Sequence, residues 1–207
     1  MSLRMKFLSM IACVALFAVL PTQADESAKL ATIMEAALDI MYQDAYKDYT
    51  SVQRQDAVRA IVEDKYDLEV LIRRAMARNW SLLTADEQMQ VHNLIDQLIV
   101  KSFVEGMAGQ GRPIVGCGAV IEVTSKRIEV PVVISFPSGK TFNVLYRLGL
   151  LKTGWQIYDI VAEDISMVSN YRQQFDDHFR EENGARLIEK LEKLLKKEVL
   201  DVSTIIL

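Results

Sequence analysis

Histidine and cysteine, which supply many catalytic and metal sites, are scarce in this chain. Its 207 residues include two histidines, His92 and His178, and two cysteines, Cys13 and Cys117. So few, widely separated ligands do not give the clustered spacing that a metal site needs. Ser166 has neither a G-x-S-x-G setting nor a histidine nearby in the sequence, which argues against a hydrolase nucleophile. We therefore predict that the protein is not an enzyme and holds neither a metal nor a cofactor.

Basic residues are fewer than acidic ones, with 24 Lys and Arg against 28 Asp and Glu and a formal net charge of −4. An acidic chain does not favour nucleic acid, nor electrostatic docking on anionic lipid. Glycines cluster between residues 106 and 118, but a helix is predicted before them and strands after them. A phosphate-binding loop has the reverse order. The sequence thus argues against nucleic acid and nucleotides as partners.

One long apolar run, residues 7–20, carries no charge. It follows Arg4 and Lys6 and precedes the small-residue segment that ends at Ala24, as in a secretory signal. A run of about 14 residues is shorter than the roughly 20 needed to span a bilayer. We predict that residues 1–24 are a cleaved signal peptide and that residues 25–207 form a single exported domain.

Export would leave Cys117 as the only cysteine, so the domain would hold no internal disulfide. Cys117 is then either a small buried apolar residue or a reactive thiol. Residues 199–207 are unusually apolar for an exported terminus. Packing on the domain and contact with a partner or a membrane are both open for this tail.

The first half of the chain predicts helices, because apolar residues recur at intervals of three and four. They are expected over residues 27–47, 51–62 and 67–78, followed by a long helix to about residue 107. Thr84 and Glu87 form a capping box at the start of this long helix.

Three arginines, Arg73, Arg74 and Arg78, lie together in the third predicted helix. They form either an ordinary solvated helix face or a docking patch for an acidic partner surface. The sequence leaves both interpretations open.

The second half predicts strands over residues 114–124, 127–136 and 141–150, with a fourth from Trp155. Tight turns join them, which indicates an antiparallel meander. Pro131 cannot donate to a sheet ladder and therefore predicts an edge or a bulge in the second of these strands.

The last strand gives way to a helix over residues 166–182, for which Asp164 and Ser166 are both good N-cap types. Asn183 and Gly184 predict the stop of that helix, and an amphipathic helix follows. Helices before and after a run of strands predict an α+β domain. We expect an antiparallel sheet of four to five strands packed against a cluster of helices.

The strand-to-helix segment W-Q-I-Y-D-I-V-A-E-D-I-S resembles a signature of the MlaC family, the periplasmic phospholipid-binding proteins also called toluene-tolerance auxiliary proteins. The pattern is roughly W-x-x-Y-D, an apolar position, two further positions, E-G, an apolar position and S. It is matched in this chain by Trp155, Tyr158, Asp159, Glu163 and Ser166.

Asp164 stands where the family usually has glycine, and aspartate is among the least costly replacements if a positive φ is needed there. Residues 76–80 and 84–88 resemble a second family pattern, L-G-x-x-W/Y followed by T-x-x-Q/E-R, with the glycine replaced. The resemblance covers nearly all of residues 25–207.

The resemblance implies that the helices stand off the sheet and enclose an apolar cavity for the acyl chains of a phospholipid, carried as cargo. It implies a monomeric periplasmic carrier that shuttles lipid between an inner-membrane ABC transporter complex, with its substrate-binding membrane subunit, and an outer-membrane lipoprotein–porin complex, and so maintains outer-membrane lipid asymmetry. The apolar residues expected to bind lipid are Ile72, Met76, Leu94, Leu98, Phe103, Val132, Ile134, Phe142, Val144, Tyr146, Tyr158, Ile160 and Val168.

Two alternatives remain at the level of sequence. The first is a carrier of another lipid, such as a hopanoid-like molecule. The second is a periplasmic adaptor of an ABC transporter, with a filled core and no cargo.

Overall fold

The computed structural model describes residues 24–197, which form six α-helices and six strands. The helices are α1 (Ala24–Tyr42), α2 (Ser51–Glu63), α3 (Leu68–Met76), α4 (Ala85–Met107), α5 (Met167–Glu181) and α6 (Gly184–Leu195). The strands are β1 (Ile114–Cys117), β2 (Ile121–Thr124), β3 (Arg127–Ser135), β4 (Thr141–Leu151), β5 (Gly154–Ala162) and β6 (Ile165–Ser166). The predicted signal residues 1–23 and the apolar tail 199–207 lie outside the described residues.

All strand pairs are antiparallel, and the sheet order is β1-β3-β4-β5-β6. The strand β2 also pairs with β3, at the other end of β3 from β1. The predicted meander and the α+β class are confirmed. The inward residues of β3, Ile128, Val130 and Val132, have almost no solvent exposure because the helices cover that face. Burial of this face against the helices supplies the main apolar core.

The strand predicted over residues 114–124 is divided into β1 and β2. The break lies opposite Pro131, which is in the middle of β3 and not on an edge strand of the sheet. The carbonyl of Pro131 accepts a bond from the Gly118 N–H at 2.8 Å, so the proline nitrogen faces the same side, where a ladder donor is missing. A Cβ on Gly118 would lie 2.9 Å from the Pro131 ring. The chain therefore breaks between β1 and β2 opposite this proline, as a local irregularity rather than an edge.

The turn between β5 and α5 is built on Asp159 and Ser166. Ser166 is the N-cap, since its Oγ accepts from the Ser169 N–H at 3.1 Å and donates to Asp159 Oδ2 at 2.8 Å. Asp164 is not the cap: it has a φ of 65°, in the left-handed region that glycine usually occupies. The aspartate thus adopts the conformation that the family pattern assigns to glycine.

The helix before Asn183 and Gly184 ends as predicted, at Glu181, but these two residues begin the next helix rather than cap the first one. Asn183 is the N-cap of α6, and its Oδ1 accepts from the Arg186 N–H at 3.1 Å. Gly184 is the first residue of α6 and is buried where a Cβ would lie 2.6 Å from Leu83 Cδ2. A glycine is needed here because the start of α6 lies very close to the N-terminal turn of α4, and not because the backbone has a positive φ.

Candidate functional site

A cavity of about 180 Å³ lies between the helices and the inner face of the sheet. Its helical wall comes from α1, α2, the start of α3 and the second half of α4, and its opposite wall from β1, β3, β4 and β5. The lining residues are Leu30, Ile33, Met34, Ala37, Leu38, Val58, Val62, Tyr66, Leu68, Ile99, Val100, Phe103, Met107, Pro113, Val115, Ile134, Tyr146, Ile157 and Ile160.

Two tyrosines carry the polar side-chain atoms of this described lining. Tyr66 donates its hydroxyl to Glu26 Oε2 at 3.0 Å, and burial, together with that carboxylate, raises the pKa of Tyr66. Burial raises the pKa of Tyr146 to about 12. Both phenols therefore stay neutral near pH 7, and the cavity wall presents apolar, uncharged surface.

Polar contacts hold the helical wall at its end. Arg54 of α2 donates to the carbonyls of Ile40 and Met41 at 2.7 and 2.8 Å, which satisfies acceptors that the C-terminus of α1 leaves open. Arg112, in the segment before β1, pairs with Glu35 of α1 at 2.7 Å. The α1–α2 wall is thus fixed by hydrogen bonds at its outer end as well as by packing.

A buried ion pair joins α2 to α4. Arg59 Nε lies 2.8 Å from Asp96 Oδ2, and Asp96 is 5 % exposed. The other carboxylate oxygen, Asp96 Oδ1, is buried and has no hydrogen-bond partner among residues 24–197. Asp96 precedes the cavity-lining Val100 by one helical turn, so this pair fixes α2 on α4 beside the cavity.

Four of the predicted site residues, Phe103, Ile134, Tyr146 and Ile160, lie in the cavity wall. The other nine do not. Five of them are buried in the main core: Ile72, Met76, Leu98, Val132 and Val168. Those on α3 and α5 lie on helices that pack directly against β5.

The remaining four are half-buried outside the cavity wall. Leu94 and Val144 pack at the margin of the core. The Phe142 ring contacts Phe136 edge-on, with centroids 6.0 Å apart. Tyr158 falls at the irregular register between β4 and β5, and the Arg74 guanidinium lies 4.5 Å above its ring. Lipid binding by these thirteen residues stays a prediction, and the cavity gathers only four of them.

The largest group of wall residues that sequence reasoning missed lies on α1, and smaller groups lie on α2 and α4. On α1 the missed residues recur at helical spacing on the face turned towards the core: Leu30, Ile33, Met34, Ala37 and Leu38. Helical spacing identifies the buried face of a helix but does not tell close packing from a cavity. No further signal in the sequence separates the two.

Cys117 is half-buried on β1. Burial raises the pKa of its thiol, with a smaller contribution from the charge of Glu35. A thiol that stays protonated is a poor nucleophile. This environment favours the interpretation of Cys117 as a small apolar residue.

The sequence profile of the MlaC protein family matches residues 31–193, which is more than half of the chain. The chain belongs to the MlaC family. A similar solved structure is a phospholipid-binding protein from Ralstonia solanacearum, determined in complex with a phospholipid. The two chains share 19 % identity and a TM-score of 0.72, over 83 % of this chain and 98 % of the other. The comparison with curated proteins returned no match.

Membership of the MlaC family points to a binding or transport protein rather than to an enzyme. Within residues 24–197, no helix is long and apolar enough to cross a membrane. The same residues contain no group of three or more His, Cys, Asp or Glu side chains placed to hold a metal ion.

Proposed function

We propose that this MlaC-family protein is a periplasmic phospholipid carrier whose cavity takes up acyl chains. The observation that carries the proposal is the cavity between α1, α2, α4 and the sheet, whose wall is apolar except for two neutral tyrosines. The family, and a similar fold that binds a phospholipid, support the choice of cargo. Catalysis, a metal and a cofactor have no part in the proposal.

An apolar cavity suits this cargo for an energetic reason. Each CH₂ group taken from water to an apolar site contributes about 0.8 kcal/mol, so exposed acyl chains cannot cross water at useful concentrations. Between a bilayer and an apolar cavity the exchange is nearly neutral, because both surroundings are apolar. Such a carrier can therefore load and release lipid without a covalent step.

The cavity must widen to accept a diacyl lipid. A space of about 180 Å³ is close to an engineered cavity of roughly 150 Å³ that binds benzene, and below the roughly 300–1,000 Å³ of drug-sized ligand sites. A small apolar cluster, separate from the main core, joins Ala37 and Ile40 of α1 to Val58 of α2 and Val100 of α4. We expect this cluster to shift outward when lipid enters, because two of its helices, α2 and α4, make fewer contacts with the sheet than α3 and α5 do.

The route of transport belongs to the same proposal. We infer export of residues 25–207 to the periplasm after cleavage of residues 1–24. There the carrier would exchange lipid with an inner-membrane ABC transporter complex and its substrate-binding membrane subunit, and with an outer-membrane lipoprotein–porin complex. This exchange would maintain outer-membrane lipid asymmetry. A monomer suffices for it.

The first test is the lipid content of the protein as exported by its host. We expect native mass spectrometry to show a complex of one chain with one glycerophospholipid, because the apolar wall would otherwise face water. If the bound lipid were hopanoid-like, the protein would be a carrier of another lipid and not of phospholipid. Folded protein that contains no lipid would favour the non-carrying adaptor.

A charge placed in the wall should abolish this binding. In Ile134→Glu a carboxylate would face the cavity with no partner, at a cost of several kcal/mol unless it takes a proton or water enters. We expect loss of lipid by at least tenfold, measured by extraction and mass spectrometry, in protein that still shows a cooperative thermal transition.

Val144→Glu is the matched control, because Val144 lies on the neighbouring strand, opposite Val132 and outside the cavity wall. It should retain most of the lipid. Equal lipid loss in the two folded variants would contradict the placement of the acyl chains in this cavity.

A further inference from the structure

Four arginines gather on one surface formed by α3, α5 and the 3₁₀ segment Ala77–Leu82. Arg73 and Arg74 lie in the last turn of α3, Arg78 follows in the 3₁₀ segment, and Arg172 comes from α5. Arg172 reaches the other helix by donating to the carbonyl of Arg74 at 2.7 Å. This concentration of positive charge departs from a chain whose formal net charge is −4.

Carboxylates neutralise only half of this charge. Glu69 pairs with Arg73 at 3.2 Å, and Asp176 pairs with Arg78 at 3.2 Å. In the described part of the chain, neither Arg74 nor Arg172 has a carboxylate within ion-pairing distance. The surface therefore keeps a positive excess, with the Arg78 side chain 76 % exposed.

Aromatic rings hold two of the guanidinium groups in place. Arg74 lies 4.5 Å above the ring of Tyr158, and Arg73 lies 5.8 Å above that of Trp80. A stacked guanidinium is already ordered, so it loses less side-chain entropy when it binds a carboxylate. Leu82, at the end of the same 3₁₀ segment, is 61 % exposed. Arginine, tryptophan and tyrosine are the types that protein interfaces prefer.

Two simpler explanations account for part of this arrangement. Cations at the C-terminal end of α3 interact favourably with the helix dipole, which explains Arg73 and Arg74. It explains neither Arg172, which comes from another helix, nor the exposure of Leu82. An anionic bilayer would attract the arginines, but it would repel the negative remainder of the chain.

We propose that this arginine surface, made of Arg73, Arg74, Arg78 and Arg172 with Trp80 beside Arg73, docks a carboxylate-rich segment of a partner protein. Fixed, planar guanidinium groups suit the bidentate recognition of carboxylates held at fixed spacing. None of these residues lines the cavity, so the inference is independent of the cargo and of the proposed carrier function.

The test uses a fluorescein-labelled peptide of eight glutamates around a central pair of leucines, with binding followed by fluorescence anisotropy. We expect the protein to bind it with an affinity that falls as salt rises, and Arg74→Glu/Arg172→Glu to weaken binding at least tenfold. Arg73→Glu/Arg78→Glu should also weaken binding at least tenfold. Because these two side chains are largely exposed, this variant separates a loss of binding from a folding defect caused by the change at Arg172.

The control is Lys126→Glu/Lys152→Glu, two exposed lysines in the hairpin turns, with the same change in net charge. It should weaken binding less than twofold. Absence of binding by the unmodified protein, or equal weakening in the control, would overturn the proposal. Arginine-dependent sedimentation with vesicles of 3:1 phosphatidylcholine and phosphatidylglycerol, without peptide binding, would also overturn it and assign the surface to a membrane.

Discussion

Replacing Ala37 by phenylalanine should weaken phospholipid binding about 100-fold and at the same time raise the melting temperature of lipid-free protein. Ala37 lines the cavity from α1 and is 5 % exposed. The added ring would occupy space that roughly three to four methylene groups of an acyl chain need, which removes about 3 kcal/mol of binding free energy. Filling a cavity commonly adds about 0.5–2 kcal/mol to the free energy of unfolding.

The opposite signs of these two effects make the variant informative. If the space beneath α1 were closely packed, the ring would overpack it, and the melting temperature would fall. Ala36→Phe is the matched control, since Ala36 is the neighbouring helical position and does not line the cavity. It should leave lipid binding within about twofold of the parent. Scanning calorimetry and lipid titration on both variants decide the matter.

Removing the carboxylate of Asp159 should destabilise the fold by about 3 kcal/mol, although no part of Asp159 lines the cavity. Asp159 is 5 % exposed and accepts hydrogen bonds from Ser166 Oγ at 2.8 Å, the Val168 N–H at 3.2 Å and Arg147 at 3.2 Å. In Asp159→Ala those donors lose a buried, charged acceptor, and the start of α5 loses its attachment to β5.

Glu129→Ala provides the comparison, because Glu129 also pairs with Arg147, at 3.0 Å, but is more exposed. A partly solvated pair contributes about 1 kcal/mol or less, so this variant should lose far less stability. Urea unfolding followed by circular dichroism measures both. Equal losses would show that the ion pair with Arg147, and not the capping of α5, carries the effect of Asp159.

These contacts give a physical reason for much of the motif by which the sequence resembles its family. Asp159 and Ser166 bind each other across the turn, and Glu163 accepts from the Asn143 N–H at 2.7 Å. Glu163 and Asp164 both adopt positive φ angles. The motif thus encodes a tight strand-to-helix connection that places α5 against β5, and within its segment Ile157 and Ile160 line the cavity.

Local signals in the sequence predicted most elements of the fold. The capping box is present as predicted, with the Glu87 N–H donating to Thr84 Oγ1 at 3.2 Å and the Thr84 N–H to Glu87 Oε2 at 2.8 Å. Asn183 was misassigned because its side chain suits the stop of one helix and the start of the next equally well. The break between β1 and β2 depends on Pro131 in the neighbouring strand, so the segment itself carries little sign of it.

The site was predicted less well than the fold for a different reason. The prediction placed the lipid along the whole inner face of the sheet, but α3 and α5 close one end of that face by packing on β5. Val132 and Ile134, two positions apart on β3, therefore have different surroundings: the first lies in the core and the second in the cavity wall. Alternation along a strand assigns a face and does not locate a cavity on it.

The most direct test of the central claim is to locate the acyl chain itself. A phospholipid with a photoreactive group near the end of one chain would be exchanged into the protein, irradiated, and mapped by mass spectrometry of peptides. The account predicts labels within residues 30–38, 58–62 and 99–107, the three helical stretches of the cavity wall. Labels on the outward residues of the sheet, such as Val133 and Leu145, or no specific label in folded protein, would contradict it.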